Sequence, residues 1–130
     1  HIDDSFLLES LEIQGQMYGM KAQNFIPDKW LNHDDSISFG NQILEIKHCP
    51  GHAPGHIIGI NHKAKKIIGG DVLFNGSIGR TDLPQGNHQD LINSIYNHLL
   101  ILDDSYIVHS GHGPDTSIGH ERKTNPFLNA

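Results

Sequence analysis

Apolar and polar residues alternate on both sides of Gly40-Asn41. The alternating positions are Ile37 and Phe39 before this pair, and Leu44, Ile46 and His48 after it. A period of two around a short glycine-containing turn is typical of two antiparallel strands joined by that turn. The pattern therefore predicts a β-hairpin in this part of the chain.

Apolar runs further along the chain predict three more strands and a core helix. The strands are expected at residues 56–61, 66–70 and 106–109, with a polar turn at 61–65 between the first two. The helical positions are Leu91, Ile95, Leu99 and Leu102, with a start at Asn87, three residues before Asp90. Because these apolar residues share one helix face, they indicate a core stripe and not a cofactor site.

Weaker patterns describe the two ends of the chain. Asp3-Asp4-Ser5 is expected to cap a helix that carries Phe6, Leu7 and Leu11 and weakens at Gly19. Residues 21–35 are expected to form a connecting loop anchored by Trp30 and Leu31. A short helix is expected from Ser117 to just before Pro126, after which Phe127 and Leu128 dock the tail.

Composition narrows the class of protein. The chain has 130 residues and a net charge of −6 with histidines neutral, and its clustered lysines, Lys63, Lys65 and Lys66, fall in a predicted turn. Nucleic acid is therefore not expected as a ligand. No apolar run approaches transmembrane length, and one cysteine excludes an internal disulfide. A cytoplasmic protein that does not bind membranes is expected.

Candidate metal ligands follow three predicted strands. His52 lies in the loop of residues 49–56, Asp71 follows residues 67–70, and His112 follows residues 106–111. The carboxyl ends of neighbouring strands in an α/β sheet converge on one crevice, so these side chains are expected to meet. Taken singly, His52 could equally be a turn histidine, and Asp71 a turn former or helix cap.

His56 differs from His52 despite lying only four residues away. Pro54-Gly55 excludes a helix that would place both imidazoles on one face. His56 also begins an apolar run, so it is expected to support the site through hydrogen bonds and not to bind metal directly. Cys49, at the end of an apolar strand, is expected to be a small buried residue and not a thiolate ligand.

The order and spacing of these motifs resemble the metallo-β-lactamase-fold hydrolases, and most closely their short, glyoxalase II-like branch. The matching segments are residues 49–57, 69–74, 76–84, 110–121 and 125–128. The resemblance implies an α/β fold, the αββα sandwich. It also implies that His52 and His112 each serve one of two divalent metals and that Asp71 bridges both. Zinc is the expected metal, with iron and manganese as the alternatives.

One departure from the family pattern limits what is carried over. The His-x-His-x-Asp-His motif of the family's amino-terminal half is absent, and His33-Asp34-Asp35 has neither its spacing nor its imidazoles. Residues 1–130, which start at His1 without an initiator methionine, are therefore expected to be the carboxy-terminal half of the sandwich. Such a fragment would leave one sheet face uncovered, would self-associate through it, and would bind metal weakly or not at all.

The function implied by the resemblance is hydrolysis of a glutathione-type thioester by the intact parent protein. A pair of divalent cations would generate hydroxide from water at neutral pH and polarise the carbonyl, with Asp71 orienting the water. Arg80 and Asp82 would either form an ion pair behind the site or meet the substrate. Two alternatives stay open: a persulfide dioxygenase with one iron, which the Gly79–Asp82 segment also resembles, and a non-catalytic module that self-associates.

Overall fold

The predicted hairpin forms one edge of a six-stranded sheet in the computed structural model, which describes residues 1–129. In chain order the strands are β1 (Ser36–Phe39), β2 (Gln42–His48), β3 (Ile57–Asn61), β4 (Lys66–Gly70), β5 (Leu73–Phe74), β6 (Ser77–Ile78), β7 (Ile107–Ser110) and β8 (Thr116–Ser117). The order in the sheet is β1-β2-β3-β4-β7-β8, and β5 pairs separately with β6. The three strands predicted after the hairpin are confirmed to within one residue at each end.

The parallel pairing of β4 with β7 positions the candidate site. β1 to β4 form an antiparallel meander, whereas β7 lies parallel to β4 and pairs Gly70 with Ser110. A parallel pair requires a crossover, and the chain makes it through the helices between residues 88 and 99. The two strands therefore end side by side, with Asp71 next to the segment that leads into His112.

The helices in chain order are α1 (Ser5–Glu9), α2 (Leu11–Met17), α3 (His88–Ser94) and α4 (Ile118–Thr124). A 3-10 turn at Ile2–Asp4 precedes α1, and a π-helical turn at Ile95–Leu99 extends α3. None of the helices in the described residues combines the length and the apolar character needed to cross a membrane.

The hydrophobic core lies on one face of the sheet, under the crossover helix. Ile60, Ile67 and Val108 are cross-strand neighbours on this face, and they belong to the same buried cluster as Leu91 and Leu99. The predicted core stripe is thus confirmed. Its last member, Leu102, lies beyond the helix and is only partly buried against the cluster, because the π turn ends the helix first.

The other face of the sheet carries an exposed apolar surface, called the open face below. It includes Phe39, Ile68 and Ile107, with exposed fractions of 56%, 54% and 37%. Half-buried Ile37 and Leu44, which pair with each other across β1 and β2, lie on the same side. The uncovered sheet face expected from the sequence is therefore present among the described residues.

Both chain ends depart in part from the predictions. The amino-terminal helix is split into α1 and α2 at Ser10, and Asp4 makes no side-chain cap, because its carboxylate binds a distant loop. Ser117 does cap α4, accepting a hydrogen bond from the His120 N–H. Of the two tail residues, Leu128 is buried but Phe127 is half exposed, so only one of them docks fully.

Candidate metal centre

The side chains of His52, Asp71 and His112 meet at the ends of the central strands. The two carboxylate oxygens of Asp71 face different imidazoles: Oδ2 lies 3.4 Å from His52 Nε2, and Oδ1 lies 2.8 Å from His112 Nδ1. The structure thus brings together the three residues that the sequence placed at one crevice. Each oxygen of this carboxylate is therefore paired with a different imidazole.

Glycines around Asp71 allow this close approach. Gly70 has a φ of +51°, a left-handed conformation, and a Cβ there would lie 2.7 Å from the His56 ring. A Cβ on Gly111 would overlap Asp71 Oδ1 itself. Glycine is therefore needed at position 70 to leave room for the His56 ring, and at position 111 to leave room for the Asp71 carboxylate.

A backbone carbonyl fixes the orientation of His52. The carbonyl oxygen of Arg80 lies 2.8 Å from His52 Nδ1 and can only accept, so Nδ1 carries the proton. The Nε2 lone pair is then left facing Asp71, which is the tautomer that a metal ligand needs. This contact could not be predicted from residue types, because any residue at position 80 would supply the carbonyl.

His56 supports Asp71 from behind. Its Nε2 accepts a hydrogen bond of 3.1 Å from the backbone N–H of Asp71. Burial lowers the pKa of His56, and the neighbouring His52 lowers it further, so the neutral imidazole that can accept this bond is favoured. This geometry agrees with the supporting role expected from the sequence.

Arg80 and Asp82 form an exposed ion pair. Arg80 Nε lies 2.7 Å from Asp82 Oδ1, and Nη2 lies 3.0 Å from Oδ2, a bidentate contact. Both residues also line a cavity of about 250 Å³, together with Ile78, His88 and Phe127. The structure therefore contains the predicted pair, and a contact of either residue with substrate stays a prediction.

Cys49 and His33 do not contribute to the site. Cys49 is fully buried, and burial raises the pKa of its thiol to about 12, so it is not a thiolate near neutral pH. This confirms the small buried residue expected there. His33 Nδ1 instead accepts a hydrogen bond of 3.0 Å from the His48 N–H.

The three side chains are ligand types that divalent cations accept, but they are too few to complete the coordination of two ions. Two imidazoles and one carboxylate are ligands that zinc, iron and manganese accept. A zinc ion takes four ligands, and in a catalytic site three of them come from the protein. Two such ions need more protein ligands than the three residues found here. Further ligands are therefore needed for two fully coordinated ions.

The chain is similar in sequence to known metallo-hydrolases. A model of the metallo-beta-lactamase superfamily matches residues 1–112. Hydroxyacylglutathione hydrolase GloC of Haemophilus influenzae is 48% identical over 98% of this chain and 61% of its own length. The probable metallo-hydrolase YqgX of Bacillus subtilis is 41% identical over 92% of this chain and 57% of its own length. The chain thus spans about three fifths of these relatives.

Solved structures show the same architecture. The BLEG-1 B3 metallo-beta-lactamase is 38% identical with a TM-score of 0.87, covering 100% of this chain and 64% of that protein. The protein TTHA1623, solved in a di-iron-bound form, is 36% identical with a TM-score of 0.88, covering 98% and 63%. ETHE1 from Myxococcus xanthus is 29% identical with a TM-score of 0.71, covering 76% and 45%.

Proposed function

Because the chain belongs to the metallo-β-lactamase superfamily, we propose that it supplies one side of the metal centre of a thioester hydrolase. The observation that carries the proposal is the Asp71 carboxylate, whose two oxygens face His52 and His112 separately. His52 would hold one divalent cation and His112 the other, with Asp71 between them. Cations bound there would lower the pKa of coordinated water to about 7 and would polarise the carbonyl of the thioester.

The protein's own residues prepare this centre before any metal binds. The Arg80 carbonyl keeps the proton of His52 on Nδ1, and His56 holds the backbone N–H of Asp71. Such supporting contacts set the tautomer and orientation of ligands, and their loss typically weakens metal affinity by about 10–100-fold. The rest of each coordination sphere would come from outside this chain, in a His-x-His-x-Asp-His segment of the intact protein.

A glutathione-type thioester is the proposed substrate. The 48% identity with GloC supports this class, since that relative is a hydroxyacylglutathione hydrolase by name. The cavity beside Arg80 lies on the segment that follows Asp71, so a substrate there would sit next to the proposed metals. Its apolar wall, Ile78 and Phe127, is suited to the alkyl part of a thioester.

Zinc titration of single-histidine variants tests the proposed centre. We expect this chain to bind zinc weakly, His52→Ala and His112→Ala each to weaken binding at least about tenfold, and no thioester turnover by this chain alone. His62→Ala is the matched control, because His62 follows β3 and so lies at the opposite end of the neighbouring β4 from Asp71.

Two results would contradict the proposal. Equal zinc affinities for the wild type, His52→Ala and His112→Ala would remove the metal centre from these residues. Tight stoichiometric binding by a monomer, together with turnover of a hydroxyacyl-glutathione thioester, would show that no outside ligands are needed.

A persulfide dioxygenase with one iron is the competing function. The contact between His112 and Asp71 favours the hydrolase, because it supplies a ligand for a second metal. Metal content and oxygen uptake of the longer protein separate the two. Two metals per protein without oxygen consumption support the hydrolase, whereas one iron with oxygen consumption supports the dioxygenase.

We also propose that this chain, when alone, self-associates through the open face. Phe39, Ile68 and Ile107 are exposed on the same side of the sheet, opposite the helices that cover the core. A large apolar surface on a monomer is unfavourable in water and marks a site of association. In this state the chain would be a non-catalytic module.

A further inference from the structure

The turn before α1 contacts the loop that carries His52 and His56. The N–H of Gly55 donates a hydrogen bond of 2.7 Å to Asp4 Oδ1, although the two residues are 51 positions apart. Gly55 is buried, and a Cβ at this position would lie 2.6 Å from Asp4 N and 2.8 Å from His1 O. The loop is therefore seated directly against the amino-terminal turn, with no space between them.

A second contact holds the preceding residue of the loop. His48 Nε2 lies 2.7 Å from the carbonyl oxygen of Pro54, and a carbonyl can only accept, so Nε2 is the donor. The His1 ring stacks on the His48 ring at a centroid distance of 4.2 Å and an angle of 6°. Successive residues, Pro54 and Gly55, are thus held by different side chains.

His1, Asp3 and His48 are ligand types that a cation could use, but one nitrogen of each histidine already makes a hydrogen bond. Donor atoms of His1, Asp3 and His48 lie within 4.8 Å of one another. His48 Nε2 is engaged with Pro54, and His1 Nδ1 accepts a hydrogen bond of 3.1 Å from the Asp3 N–H. Because the His1 and His48 rings are stacked and nearly parallel, the lone pairs of their nitrogens lie in parallel planes and do not converge on one ion. The cluster therefore serves the loop and not a second metal.

The loop is closed at its base but only weakly bonded between its ends. The Cys49 N–H donates a hydrogen bond of 2.8 Å to the His56 carbonyl, whereas the other internal backbone bonds, from the N–H groups of Gly51 and His56 to the Ala53 carbonyl, are both long at 3.3 Å. Pro50 and Pro54 donate none. Shorter bonds come from elsewhere: Ser94 Oγ to the Pro50 carbonyl at 2.9 Å and the Asn87 N–H to the Gly51 carbonyl at 2.8 Å.

We infer that Asp4 is a positioning residue for the metal centre, acting through Gly55 on the loop of residues 49–56. The contacts form a connected path, since Gly55 precedes His56, and His56 accepts the backbone N–H of Asp71. Ser94 and Asn87 fix the start of the loop, and Asp4 fixes its end, with His52 between them. The zinc measurement of the test rests on the proposed function, whereas the hydrogen-exchange measurement does not.

The experiment compares Asp4→Ala, Asp4→Asn and the control Glu9→Ala in this chain. Asp4→Ala removes the acceptor, Asp4→Asn keeps an amide oxygen in its place, and Glu9→Ala removes an exposed carboxylate of α1 that makes no hydrogen bond to the loop. We expect Asp4→Ala to weaken zinc binding about tenfold and to accelerate amide hydrogen exchange of Gly55 in the metal-free protein. Asp4→Asn and Glu9→Ala should stay close to wild type in both measurements.

Three outcomes are separable. If Gly55 exchanges as slowly in Asp4→Ala as in wild type, the contact does not hold the loop and the inference is wrong. If exchange accelerates and the melting temperature falls while zinc affinity is unchanged, Asp4 only stabilises the fold and the inference is also wrong. If His52→Ala leaves zinc binding unaltered in the otherwise wild-type chain, the proposed function is wrong. Hydrogen exchange of Gly55, compared between Asp4→Ala and Asp4→Asn, then still decides whether Asp4 positions the loop.

Discussion

Glu121 has a buried carboxyl group that contacts the turn between β5 and β6, in the segment after Asp71. Its carboxylate is fully buried and accepts hydrogen bonds from the Gly76 N–H at 2.9 Å, from Asn125 Nδ2 at 3.0 Å and from the Thr116 hydroxyl. These partners belong to the β5–β6 turn, to β8 and to the end of α4. One side chain therefore ties three elements to one another next to the candidate site.

Removing this carboxylate is expected to be costly. Glu121→Ala removes an acceptor from the buried Thr116 hydroxyl, from the buried Asn125 amide and from the Gly76 N–H, so we expect a loss of about 1–3 kcal/mol in the free energy of unfolding. Glu121→Gln keeps the volume and one oxygen acceptor and should lose clearly less. Urea denaturation of both variants measures this, with exposed Glu12→Ala as the control that stays near wild type. Equal losses for Glu121→Ala and Glu12→Ala would contradict it.

At the residue level, the sequence predicted the side chains of the site but not what holds them. His52, Asp71 and His112 each follow an apolar run, so strand periodicity alone places them at one edge. The contacts of Arg80 and Gly55 are made by backbone atoms, 28 and 51 positions from their partners. Backbone groups are the same in every residue, so no residue type could indicate these bonds.

The start of α3 is the clearest case of an element fixed by its sequence. Asn87 has an extended backbone, and its Oδ1 accepts the Asp90 N–H at 2.9 Å, as the spacing of the two residues predicted. The same residue donates its N–H to the Gly51 carbonyl, so the cap also anchors the loop that carries His52.

Loss of this cap should lower the stability of the whole chain modestly. We expect Asn87→Ala to reduce the free energy of unfolding by about 1 kcal/mol, because one N–H of the first helical turn loses its acceptor. Asn87→Asp retains an acceptor and should lose less than Asn87→Ala. Thermal unfolding of the two variants and of Ser117→Ala, which removes the corresponding cap of α4, provides the comparison. A stability of Asn87→Ala equal to wild type would show that the cap bond is not significant.

Helix interruptions could not be predicted, because the apolar spacing continues through them. The hydroxyl of Ser10 donates to the Phe6 carbonyl at 2.8 Å, and such a bond to the residue four positions earlier often bends a helix. After α3, the Leu100 N–H bonds the Ile95 carbonyl five residues back, which makes the π turn. Leu91, Ile95 and Leu99 are buried on both sides of this change from α-helix to π turn. The hydrophobic pattern is therefore the same as that of a continuous α-helix.

On the scale of the whole molecule, one face of the sheet is covered by helices and the other is exposed. The only indication of this difference in the sequence is the absence of the His-x-His-x-Asp-His motif. Alternation along β3 and β4 buries Ile60 and Ile67 under the helices, while Ile68 on the other side is half exposed. A strand with apolar residues on both faces is typical of a sheet covered on both sides. The apolar residues of the open face are therefore typical of a sheet face that is covered by another part of a protein.

A charge placed in the open face should prevent self-association. We expect the wild-type chain to associate as its concentration rises, and Ile68→Lys to remain monomeric, because pairing two open faces would then bury an unpaired ammonium group. Ile101→Lys is the matched control, since Ile101 is 69% exposed but lies in the segment after the π turn and not on the sheet. Sedimentation velocity over a range of protein concentrations gives the readout. A wild-type chain that stays monomeric throughout, or an Ile101→Lys variant that dissociates as fully as Ile68→Lys, would show that the open face does not form the contact.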